Sequence, residues 1–213
     1  LIIGFGLLFI GLNFLQENMP NIHENPEILN FLHNYTDLGY GSYILFMLIG
    51  TALTILIQSS SATMALTLVM CANGWIGFDI AASMVLGENI GTTITANLAA
   101  MVANTTAKRA AFAHFLFNLF GVAWVLAIFP FFLGWVAQLS IYLGIGDPFT
   151  SVGSVPVALS LFHTCFNVAN VLILIWFTKI IANLVTHIIK SKESADDAFT
   201  LKHIKIGLLS TPD

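Results

Sequence analysis

Two polar clusters interrupt apolar stretches of this chain. Gln58-Ser59-Ser60-Ser61-Ala62-Thr63 lies between apolar arms at 43–57 and 64–72. Gly87-Glu88-Asn89-Ile90-Gly91-Thr92-Thr93 lies between arms at 78–86 and 94–102. Neither cluster contains Lys or Arg. Hydroxyls and amide carbonyls are hard oxygen ligands, suited to a small hard cation. Backbone N–H groups at a helix start, with hydroxyl donors beside them, suit an anion. Three consecutive serines point in three directions around a helix, so they cannot all serve one helix–helix contact. An unwound tip brings Ser59, Ser60 and Ser61 together, and the spacing favours a binding site over packing glue. Glu88 is the acid of the second cluster, and an intramembrane carboxylate is a functional candidate by default. Its bland alternative is a cavity-edge group that orients its neighbours.

Those clusters need particular elements to hold them. A spanning helix requires about 20 apolar residues, and each arm is shorter than that. Unpartnered polar backbone is costly in hydrocarbon, so such interruptions must line a cavity or be buried in protein. The expected architecture is therefore all-α and integral to the membrane. Its membrane part covers 1–189: a helix at 1–18, a re-entrant hairpin at 43–72, a broken helix at 78–103, and helices at 108–140 and 156–187. Gly87 and Gly91 are expected to allow unusual backbone angles around the second break. Pro130 is expected to kink or break its helix. A short interfacial helix is expected at 28–32. The polar tail at 190–213 is expected in the cytoplasm.

QSSSAT at 58–63 and GENIGTTITA at 87–96 resemble signatures of the sodium-dependent phosphate cotransporter family, type II, bacterial branch. The resemblance covers most of the chain, weakly at 19–40 and 141–155. Members carry two repeats of opposite orientation, each with a QSSS; this chain has one QSSS and so resembles one repeat, the second. The resemblance implies sodium-coupled phosphate transport by alternating access across the cytoplasmic membrane. Phosphate is then expected on Gln58, Ser59, Ser60, Ser61, Thr92 and Thr93. Sodium is expected on Gln58, Ser61, Thr63, Glu88, Asn89, Thr92 and Thr95. Many repeats of the family have a small residue where Glu88 stands, which argues against an essential acid. No cofactor is expected besides Na⁺ as coupling ion. The implied partners are phosphate, Na⁺, the bilayer and the other repeat, with a homodimer as an option. Residues 197–213 resemble the lead into a PhoU-like helical region.

Composition agrees with the membrane reading. The chain is 57% apolar and 8% charged, against about 25% charged in soluble domains. Its net charge of −4 and sparse bases speak against nucleic acid. Leu1 opens inside an apolar run, and a start cut from a longer chain is expected. Cys71 and Cys165 are expected as buried free thiols. The loops at 17–41 and 141–155 lack Lys and Arg. The bases are expected in the loop at 104–109 and the tail, which the positive-inside rule places in the cytoplasm. Two H-x-x-F-N stretches, His114–Asn118 and His163–Asn167 by number, are expected near opposite membrane faces as interhelical glue. Competing functions are a carrier or channel for another small anion, a phosphate-linked regulatory subunit, and an intramembrane serine hydrolase. The last lacks a GxSxG elbow, and no enzyme activity is expected.

Overall fold

The computed structural model describes residues 2–17, 34–36 and 38–190. These form α1 (Ile2–Glu17), α2 (Tyr40–Ile57), α3 (Ser60–Ala72), α4 (Phe78–Ala100), α5 (Thr105–Ala127), α6 (Phe129–Tyr142), α7 (Val155–Leu174) and α8 (Thr178–Ile188). Single 3-10 turns stand at Val152–Ser154 and Ile175–Phe177. The described residues are helical, without strands. The expected interfacial helix at 28–32 and the tail beyond 190 lie outside the described residues.

The centre of the bundle is α4, packed along α2. Three glycines set this contact. A Cβ on Gly91 would stand 2.7 Å from Thr54 Cβ, one on Gly87 would overlap the Met47 carbonyl, and one on Gly50 would overlap the Met84 carbonyl. Small residues let backbones approach this closely in membrane bundles. Thr51 Oγ1 seals the seam, 3.0 Å from the Gly87 carbonyl. Because Thr51 meets Gly87 and Thr54 meets Gly91, α2 and α4 run parallel. Extending that register puts Gln58 level with Thr95.

At Gln58 the chain reverses. Thr67, eight residues past Ser59, comes back to meet Glu88, below the level of Gly91. Only a return path along α4 allows this, so α2 and α3 form a helical hairpin clasping α4. Its first arm is longer than the sequence suggested: α2 has 18 residues and is long and apolar enough to cross a membrane, about 27 Å at 1.5 Å per residue. The tip still stops about 8 Å short of the α4 end, five residues beyond Thr95 at the same rise.

The expected break at 87–93 is absent: α4 is one helix from Phe78 to Ala100. Its polar side chains explain why no unwinding is needed. Thr92 Oγ1 donates to the Glu88 carbonyl at 2.8 Å, Thr93 Oγ1 to Ile90 at 2.7 Å, and Asn89 Nδ2 to Val85 at 2.9 Å. These three side chains are satisfied by their own helix, as Thr and Asn commonly are. Gly87 and Gly91 serve the α2 contact, not a backbone turn; positive φ occurs at Gly39, Gly74, Gly144 and Gly146 instead.

The expected helix at 108–140 is divided at Ile128 (φ −118°). Pro130, in the first turn of α6, lacks the N–H that would have continued α5. Phe129 fills this corner fully buried, edge-on to Tyr43 at 4.8 Å and to Phe162 at 6.1 Å. α7 starts with Pro156 in its first turn and runs antiparallel to α5. Asn170 meets Gly121, and further along Arg109 Nε donates to the Ile189 carbonyl at 2.9 Å. The 3-10 turn at Ile175–Phe177 separates α7 from α8, which lies against α5.

Charge separates along the bundle. Asp79 and Asp147 share one end, where Phe78 and Phe149 stack edge-on at 5.4 Å. Lys108, Arg109 and Lys190 share the other, where α4 ends, α5 begins and α8 ends. Lys179 departs from the expected grouping, since it stands in the first turn of α8 and not in a loop or the tail.

Candidate functional site

The hairpin tip is built from two opposed helix ends. Gln58 closes α2 in the left-handed region, φ 57° and ψ 27°. It is the one non-glycine residue with positive φ among the described residues. Left-handed backbone is uncommon outside Gly, Asn and Asp and marks a constrained position. Ser59 then turns extended (φ −150°) and caps α3, its hydroxyl accepting from the Ala62 N–H at 3.3 Å. This is the usual device for a helix start. Thr63 Oγ1 folds back to donate to the Ser59 carbonyl at 3.0 Å.

What remains free at this tip decides its chemistry. Gln58, Ser59 and Ser61 are exposed and Ser60 is half-buried. Among the described residues, the Gln58 amide and the Ser60 and Ser61 hydroxyls take no side-chain partner. The first N–H groups of α3 have no intrahelical acceptors, and the helix start carries a partial positive charge. Donors, hydroxyl oxygens and an amide carbonyl thus converge on a tip without a charged side chain.

The structure treats the other expected residues differently. Thr95, on the tip's level, donates to the Thr92 carbonyl at 2.8 Å. Thr92 is half-buried, while Thr93 is fully buried against its own helix. Because α4 is continuous there, no second helix start exists near Thr92. Glu88 is 2% exposed and accepts from the Thr67 hydroxyl at 3.0 Å, about two helical turns past the tip along α3.

Several structural residues escaped the sequence reading. Thr67 was legible in principle, since it lies four residues after Thr63 on the same helix face. Asn97 Nδ2 bridges α4 to α5, 2.9 Å from the Ala111 carbonyl. Asn170 is buried and does the interhelical work expected of the H-x-x-F-N stretches: its Nδ2 donates to Phe117 at 3.2 Å and its Oδ1 accepts from Trp124 at 3.4 Å. Asn118 and Asn167 bond back to the carbonyls of their own His114 and His163. Given the register of Gly121 with Asn170, those two histidines stand about 21 Å apart along the bundle. Cys71 and Cys165 are free thiols, the first buried and the second half-buried.

A helical hairpin that presents a capped, polar helix start among apolar membrane helices is a device that membrane transporters use. The chain belongs to the Na⁺/Pi-cotransporter family, whose model matches residues 25–164. It is 32% identical to the "Uncharacterized protein YqeW" of Bacillus subtilis over 193 residues, 89% of this chain and 57% of that protein. It is 29% identical to the "Putative inorganic phosphate export protein YjbB" of Escherichia coli K12 over 212 residues, 99% of this chain and 36% of that one. A shorter match, 40% over 89 residues, is to the human "Sodium-dependent phosphate transport protein 2C", covering 40% of this chain and 15% of that protein. The chain therefore spans roughly half or less of the curated relatives it matches. No solved structure matches it.

Proposed function

We propose that this chain is one repeat of a carrier that moves inorganic phosphate across the cytoplasmic membrane, coupled to Na⁺, by alternating access. The observation that carries the reading is the tip itself: the start of α3 and the partner-free side chains of Gln58, Ser60 and Ser61. Phosphate oxygens would accept from the α3 N–H groups and the serine hydroxyls. Sodium would take the Gln58 carbonyl, hydroxyls of Ser61 and Thr92, and backbone oxygens exposed at the turn. With no basic side chain at the tip, the cation itself offsets the charge of the anion. Each ion lowers the cost of burying the other, and such coupling is reciprocal. The partner repeat supplies the opposing half of the site. The glycine seam of α2 and α4 makes hairpin and central helix one rigid unit, suited to rocking against that partner.

Labelled phosphate flux in vesicles holding the full-length protein tests this. Flux should require Na⁺ on the same side as phosphate, and arsenate should compete. Flux unchanged when choline replaces Na⁺ would reject sodium coupling. The name of YjbB favours export as the physiological direction, so both gradient directions belong in the experiment.

A further inference from the structure

A groove of about 520 Å³ opens at the basic end of the bundle, between the end of α4, the start of α5 and Ile189. Its walls are apolar: Ile94, Leu98, Met101, Phe112 and Phe115. Leu98 and Met101 are 55% and 67% exposed, so the groove is open to the side of the bundle. Lys108 is the charged residue among its walls. Arg109 closes one end by holding the Ile189 carbonyl, and Lys190 follows directly. The acids Asp79 and Asp147 stand at the opposite end of the bundle.

An apolar slot on membrane helices, ending in bases where three helix ends reach the surface, matches an amphiphile with one negative head. We propose that this groove holds one anionic phospholipid, its acyl chain against Leu98, Met101 and Phe112 and its phosphodiester at Lys108. Charge complementarity selects this occupant: a neutral lipid or an apolar protein segment would leave Lys108, the base in the groove wall, without a counterpart. Basic pockets between membrane helices are a general route to anionic headgroup recognition. A lipid seated there would bear on Ile94, one residue before Thr95 at the level of the tip.

The test uses full-length protein in vesicles containing phosphatidylglycerol or phosphatidylcholine with a photoactivatable acyl chain, the adducts being mapped by mass spectrometry. Phosphatidylglycerol should label residues within 94–115. Lys108→Gln should reduce that labelling about fivefold, the effect of one base near an anionic headgroup. Leu98→Trp, which fills the slot, should abolish it while leaving Lys108 in place. Equal labelling by both lipids, unaffected by Lys108→Gln, would mean unselective surrounding lipid and overturn the proposal. Adducts elsewhere but none in 94–115 would mean that protein covers the groove, and would overturn it equally. Labelling removed by millimolar inorganic phosphate would assign the bases to the free anion and overturn it too.

Discussion

The Thr67 hydroxyl lies 3.0 Å from Glu88 Oε1, and both side chains are buried, at 0% and 2% exposed. The contact ties the returning arm of the hairpin to the central helix. Thr67 Oγ1 is also 3.0 Å from the Thr63 carbonyl, so α3 and α4 share this one hydroxyl.

Thr67→Val keeps the shape and removes the hydroxyl, leaving the Glu88 carboxyl without its partner. The full-length protein should lose about 1–3 kcal/mol of stability, as for a buried polar group left unpaired. Glu88→Gln retains hydrogen-bonding capacity and should lose less. A double-mutant cycle of Thr67→Val with Glu88→Met, which removes the acceptor, should give a coupling of about 0.5–3 kcal/mol in denaturant unfolding; additive losses would mean that the two residues act independently.

The glycine seam predicts a contrast between two substitutions. Gly91→Ala forces a methyl group against Thr54 and should cost about 1–3 kcal/mol by overpacking. Gly134→Ala, in α6 with no atom within 4 Å of its added Cβ, should be neutral or stabilising by up to about 1 kcal/mol. Thermal unfolding of the two variants checks this. Equal melting temperatures would contradict the close approach of α2 and α4.

The tip serines separate by role. Ser59→Ala removes a helix cap and should cost about 0.5–2 kcal/mol in stability. Ser60→Ala and Ser61→Ala remove hydroxyls that no described side chain uses. They should leave stability unchanged and weaken phosphate or Na⁺ binding about ten- to a hundredfold, equivalent to about 1–3 kcal/mol. Calorimetry on purified full-length protein reads both. Wild-type affinities in both variants would remove these hydroxyls from the site.

The ends of the bundle predict sidedness. Single cysteines at 108 and 147, in a background lacking Cys71 and Cys165, should react with an impermeant maleimide from opposite sides, with position 147 labelled from outside. Labelling of both from one side would contradict the passage of α5 from the basic end of the bundle toward the end that holds Asp147 and the orientation drawn from the bases.

Local chemistry made the first polar cluster legible. A run of three serines after Gln58 has no good use on one helix face, and Ser59 is a strong cap; both properties belong to the residues themselves. The all-α membrane class followed equally directly from sparse charge and long apolar stretches, because a bilayer admits few other solutions. The second cluster shows where that reasoning stops. Gly87, Asn89, Gly91 and Thr92 look like a break, yet each polar side chain finds a carbonyl three or four residues back, and each glycine finds α2. Only the packed neighbour distinguishes a glycine that bends a helix from one that admits another helix. The sequence alone determined which residues were costly to leave in hydrocarbon. The tertiary structure decided what satisfied them: Glu88 is met by Thr67 and Asn170 by Trp124, through contacts between distant helices that no local spacing encodes.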